Sequence, residues 1–234
     1  MNPASRRARI DPTALSTAAE YGDILRLQSL LAAGRIDPND TSLRHKYPPL
    51  TLAADNGRVE AVRLLLADAR VDPNNNEGDT TALIQACYAS LDGLRDEYVE
   101  IVELLLASGA DPDAYDNRPL IAASEFADNY RIVDLLLFYH ADPNGDYGEP
   151  LLRAAQHERV GIVSSLLSDD ATNAAAGENA ALWQAIETGN LDILEMLLGN
   201  DDVLASLTQT DLDHAIETDD ELVIDMVRDA LDGI

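Results

Sequence analysis

Lysine is nearly missing from this chain: Lys46 is the only one in 234 residues. Against 43 acidic residues stand 16 basic ones, for a formal net charge of −27. A surface so short of cations argues against a nucleic-acid partner, because phosphate binding needs cationic neutralisation. Cysteine occurs once, at Cys87, which rules out an internal disulfide and fits a reducing compartment. No apolar run approaches the ~18 residues a membrane helix requires. Arg6, Arg7 and Arg9 lack the hydrophobic segment that would complete a signal peptide. The expectation is a cytoplasmic protein that is not secreted and has no membrane partner.

Catalytic and metal-binding patterns are missing as well. His45, His140, His157 and His214 fall at unrelated positions, none paired with Glu at metal-ligand spacing. No glycine-rich loop leads into a helix as a phosphate cradle would. The run Asp72-Pro73-Asn74-Asn75-Asn76-Glu77-Gly78-Asp79 faintly echoes a calcium loop but lacks the distal glutamate. These absences predict a non-enzymatic protein with no cofactor and no metal.

What is present is repetition. Tyr47 to Asn74 reads as a short helix from about Pro49 to Asn56, a stop at Gly57 and a second helix from Val59 to about Ala67. Asp72-Pro73-Asn74 closes it with turn-favouring residues. One such pair cannot bury its apolar stripe alone and needs neighbours of the same shape. Leu15, Leu50, Leu83, Leu120, Leu151, Leu182 and Leu212 open seven comparable first helices. Each is followed three residues on by alanine: Ala18, Ala53, Ala86, Ala123, Ala154, Ala185 and Ala215. The second helices carry Leu30-Leu31, Leu64-Leu65-Leu66, Leu104-Leu105-Leu106, Leu135-Leu136-Leu137, Leu166-Leu167, Leu197-Leu198 and Met226-Val227. Gly22, Gly57 and Gly189 mark the turn between helices, with Glu158 standing in once.

This pattern resembles the ankyrin repeat, whose unit opens Thr-Pro-Leu-His, continues Ala-Ala and Gly, and ends Leu-Leu-Leu with Gly-Ala-Asp. The opening survives in part, as Thr13-Ala14-Leu15, Pro48-Pro49-Leu50, Thr81-Ala82-Leu83, Arg118-Pro119-Leu120 and Glu149-Pro150-Leu151. The family's histidine is replaced in every copy, by Thr51, Ile84 or Trp183 for example. The resemblance implies an all-α ankyrin-repeat solenoid with projecting hairpin-like fingers. Residues 1–10 are expected to be a mobile tail and 11–234 a single domain. Its seven repeats would fall near 11–45, 46–78, 79–115, 116–146, 147–177, 178–206 and 207–234, the last an acidic cap. The third repeat carries seven extra residues within 89–98, room for two added helical turns.

The resemblance also implies a binding surface, formed by the residues before each turn glycine and by the finger tips. Those positions hold Glu20, Tyr21, Asp55, Tyr88, Glu125, Phe126 and His157, and Tyr47, Tyr115 and Tyr147. Aromatics are only 5% of the chain, so six of them in such places point to an interface. Acidic neighbours would suit a partner with a basic surface. The expected function is a monomeric protein-binding scaffold or adaptor. Two alternatives stay open: an acidic mimic of nucleic acid that sequesters its binding protein, or a halophilic protein whose charge is unrelated to partners. Cys87 is expected to be a buried small hydrophobe, and Trp183 to stack between units.

Overall fold

The computed structural model describes residues 11, 13–41, 46–76, 80–89, 96–126 and 130–233. The proposed tail at 1–10, His45 and the centre of the insertion lie outside them. The described residues are helical and carry no strand. The chain divides into two compact units, Met1–Ala89 with Arg95–Asp111, and Ser90–Leu94 with Pro112–Ile234.

The first unit holds α1 (Ala14–Tyr21), α2 (Ile24–Ala33), α3 (Pro49–Asp55), α4 (Val59–Leu66), α5 (Ala82–Ala89) and α6 (Asp96–Ala107). Each odd helix pairs with the even one that follows; α1, α3 and α5 then pack in one row, and α2, α4 and α6 in another. The leucine and alanine marks explain the rows. Leu15, Leu50 and Leu83 are buried, as are Ala18, Ala53 and Ala86, whose methyl groups let neighbouring first helices approach closely. The leucine runs divide by helical geometry. Leu65 and Leu105 are fully enclosed, whereas Leu64 and Leu104, rotated by about 100°, are half-buried. Cys87 is fully buried, and its thiol is pushed well above the usual range by that burial.

Helix ends follow local chemistry. Asp23 caps α2 by accepting a hydrogen bond from the Arg26 N–H at 3.1 Å, and Pro49 opens α3 where its missing N–H costs nothing. Gly22 and Gly57 take left-handed φ values of 69° and 66° at the turns.

The second unit holds α7 (Ala114–Phe126), α8 (Tyr130–Phe138), α9 (Gly145–Gln156), α10 (Val160–Leu167), α11 (Ala176–Thr188), α12 (Leu191–Leu198), α13 (Asp201–Ser206), α14 (Gln209–Glu217) and α15 (Glu221–Asp232). The same two rows recur: α7, α9, α11 and α14 in one, α8, α10, α12 and α15 in the other. The six-residue α13 is an addition that the repeat pattern does not predict. It packs on α11 and α12 through buried Val203.

At the expected finger tips Tyr115-Asp116 and Asp146-Tyr147, and at the matching place on α11, each helix opens with one left-handed turn. The residues are Tyr115-Asp116-Asn117, Asp146-Tyr147-Gly148 and Gly177-Glu178-Asn179, all with φ between 52° and 83°. Left-handed backbone costs an ordinary residue roughly 1 kcal/mol or more, and least for Gly, Asn and Asp. Those types fill six of the nine places, and Asn117, Gly148 and Asn179 take the third position, which is buried each time. Gly148 has a second reason: a Cβ there would lie 2.5 Å from that of Ala176.

The Asp-Pro-Asn turns join neighbouring repeats. Asn39 accepts from the Asp72 N–H at 2.8 Å and donates to the Arg70 carbonyl at 2.6 Å. Asn74 does the same with Asp111 (2.7 Å) and Gly109 (2.9 Å), and Asn144 with Asn173 (2.7 Å) and Ala171 (2.7 Å). Each amide thereby satisfies one donor and one acceptor of the next repeat, using a separate carbonyl oxygen and NH2 group that a carboxylate cannot supply. The run echoing a calcium loop begins in one of these turns, at Asp72 to Asn74.

Candidate interaction surface

The first helices end in a row of polar side chains, because the residue five after each opening leucine points away from the core. In the first unit Glu20, Asp55 and Tyr88 take this place on α1, α3 and α5 and are half-buried. Tyr21 follows Glu20 and is 69% exposed. Burial raises the Asp55 carboxyl above its ordinary range. Tyr47 is half-buried, with the Lys46 ammonium 5.0 Å from its ring centre.

In the second unit Glu125 on α7 stands 3.7 Å from the Nε2 of His157, which follows α9. Phe126 closes α7. Tyr115 and Tyr147 occupy the left-handed turns of consecutive repeats, at 42% and 85% exposure. The backbone there faces both rings outward despite the strain, and Asn117 secures the first turn by donating to the Asp142 carbonyl at 2.6 Å. Thus Glu125 is brought against His157, and Glu20 and Asp55 sit at the ends of adjacent helices.

Two features escaped sequence reasoning. The first is Tyr98. Of the residues inserted in the third repeat, Asp96, Glu97 and Tyr98 add a turn to the front of α6, which begins three residues earlier than α4 does relative to its leucines. Tyr98 is buried and donates its hydroxyl to the Asp55 carbonyl at 3.0 Å. Arg58 reaches the Glu20 carbonyl in the same way at 3.2 Å, so each side chain closes the C-terminus of the preceding first helix.

The second feature lies on α11 and α14. Trp183 packs between α11 and α14, stacking between units as expected: its ring lies on His214 with centres 4.7 Å apart and planes inclined by 19°. Its indole N–H donates to Asp211 at 2.7 Å, and the Thr208 N–H and hydroxyl donate to the other carboxyl oxygen at 2.7 and 2.8 Å. Burial would raise the Asp211 carboxyl, but bonds from Trp183, Thr208 and Asn179 together hold it below the usual carboxylate range. Glu187 stands 3.7 Å from His214 Nε2, and Glu217 4.0 Å from its Nδ1. The signal in the sequence was Trp183 at the family's histidine position; His214, two residues after Leu212, carried none.

Elsewhere, a cavity of about 350 Å³ opens between α8 and α10, lined by Tyr130, Asp134, Gly161, Ser164, Ser165 and Ser168. Among the described residues no group of three or more His, Cys, Asp or Glu could hold a metal, and no helix is long and apolar enough to cross a membrane.

Paired helices in two rows, joined by Asp-Pro-Asn turns and presenting a polar row at the ends of the first helices, define a helical repeat protein. The family description "Ankyrin repeats (3 copies)" matches residues 15–116 and 120–211, and the chain belongs to that family. The human ASB11 ankyrin repeat domain superposes with a TM-score of 0.73 at 21% identity, covering 92% of this chain and 96% of that one. A chain from the complex of a Bdellovibrio bacteriovorus predatory endopeptidase with an immunity protein superposes with a TM-score of 0.64 at 24% identity. That match covers 80% of this chain and 98% of the other. No curated protein sequence compared with the chain matches it.

Proposed function

We propose that the protein is a non-enzymatic binding scaffold that engages a partner with a basic surface through the ends of its first helices and the turns beside them. The observation that carries this reading is the exposure of Tyr115 and Tyr147 on equivalent left-handed turns of consecutive repeats. An interface would use both exposed rings as rigid contact area. Glu20 and Asp55, at the ends of α1 and α3, add negative charge in the first unit, as Glu125, at the end of α7, does in the second. The net charge of −27 favours a cationic partner by long-range attraction. The neighbour from an endopeptidase–immunity complex is consistent with a protein partner.

The test begins with capture of the partner from the native source, followed by affinity measurement with wild type and with Tyr115→Ala/Tyr147→Ala. The double variant should bind at least tenfold more weakly while its thermal midpoint stays within about two degrees. Unchanged affinity would overturn the proposed surface. An association rate that does not fall between ~50 mM and ~500 mM salt would overturn the basic character of the partner.

A further inference from the structure

We propose that the Trp183–His214 stack is the subsite for an arginine side chain of the partner. The inference rests on the reading of the first-helix surface as a protein-binding face. Trp183 is 36% exposed, although its one polar atom is already satisfied by Asp211. What remains open is apolar π surface, which gains nothing from water. His214 orients the ring from one side, and the indole N–H bond to a buried carboxylate fixes it in place. The ring is therefore a preorganised platform.

The charge around the stack selects the ligand. Glu187 lies one helical turn after Trp183 on α11, on the same face. Glu187 and Glu217 bracket the imidazole at 3.7 and 4.0 Å, and both carboxylates are more than half exposed. Residues 160–227 contain no lysine or arginine at all. A flat cation that can stack on an indole while donating to a carboxylate at its edge matches both features. Guanidinium has that geometry, and ammonium, a compact and strongly hydrated point charge, lacks the planar face.

The chain's single tryptophan is at the site, so its fluorescence reports occupancy directly. The probes are end-blocked peptides of four arginines, four lysines or four citrullines at ~50 mM salt. The arginine peptide should change the Trp183 emission saturably, with affinity at least threefold above the lysine peptide and tenfold above the citrulline peptide. Glu187→Gln/Glu217→Gln should weaken it at least fivefold. Asp192→Asn/Glu195→Gln, which removes the same charge from exposed positions on α12, should weaken it less than twofold. Equal loss in the two variants, or no preference for arginine over lysine, would overturn the subsite. Affinity lost in Tyr115→Ala/Tyr147→Ala but kept in Glu187→Gln/Glu217→Gln would overturn it while leaving the broader surface standing. No binding of either cationic peptide would overturn the subsite and the basic-partner reading together.

Discussion

The Tyr98 hydroxyl donates to the Asp55 carbonyl at 3.0 Å, across 43 residues of sequence, and so ties the third repeat's insertion to the C-terminus of α3. The bond satisfies a carbonyl that a helix end would otherwise leave to water. The ring covers Gly57, where a Cβ would just touch the hydroxyl, 3.4 Å away. Part of the insertion is thus a strut.

Tyr98→Phe should therefore cost the first unit about 1 kcal/mol, the usual net worth of one hydrogen bond. Tyr98→Ala should cost ~3–5 kcal/mol, because the ring is buried. Urea unfolding of the two variants measures both. Equal small losses would mean that the ring is not a packing element.

The Asp-Pro-Asn ladder contains one imperfect rung. Asp113 accepts from the Asp142 N–H at 2.9 Å, as Asn39, Asn74 and Asn144 do from their partners, but a carboxylate has no amide hydrogen for the carbonyl two residues before Asp142. Asp113→Asn should supply that donor to His140 and also remove one acid from a crowded surface. It should raise stability by about 1 kcal/mol. Asn74→Ala, which removes both bonds of a complete rung, should lower stability by ~1–2 kcal/mol. A destabilised Asp113→Asn would show that the second bond does not form.

Left-handed residues give two substitutions of opposite sign. His140 takes φ 66° where Gly109, at the matching helix end one repeat earlier, takes φ 88°. His140→Gly should stabilise the protein by about 1 kcal/mol by removing strained backbone. Gly148 also has a left-handed φ, of 83°, and its would-be Cβ is only 2.5 Å from the Cβ of Ala176. Gly148→Ala should cost ~2 kcal/mol or more through strain and overlap together. Thermal melts decide both signs.

Asp211 makes the C-terminal end of the array sensitive to acid. Its carboxyl titrates below the unfolded value, so the charged form is favoured by folding. The stabilisation is complete above the unfolded carboxylate pKa near 4 and is lost as pH falls through the lower folded value. Asp211→Asn should cost ~1.5–3 kcal/mol at pH 7, since an amide nitrogen would face the donors of Trp183 or Thr208. The difference between wild type and variant should narrow below pH 4, followed by tryptophan fluorescence. A constant difference down to pH 2 would remove the charged bonds as its cause.

Periodicity and residue type alone determined the repeats. A leucine with alanine three residues on, a turn residue and a leucine run recur, and every such leucine and alanine is buried. Burial along a short helix depends on spacing of about 3.6 residues, which a linear sequence displays directly. Glu158 in place of glycine was readable for the same reason, and it takes the left-handed φ of 54° that the position demands. Tertiary structure decided the rest. Nothing local to Tyr98 says that its hydroxyl meets Asp55, and nothing local to His214 says that it stacks on Trp183, 31 residues away. Those contacts arise when one repeat is laid on the next, at a distance set by packed alanines and at an angle set by the turns. The turns themselves followed the same division. Finger tips were expected at Tyr115-Asp116 and Asp146-Tyr147, and the Asn, Asp and Gly beside them favour a bend without fixing its backbone. Only the buried third positions, Asn117 bonded to Asp142 and Gly148 pressed on Ala176, settled which backbone forms.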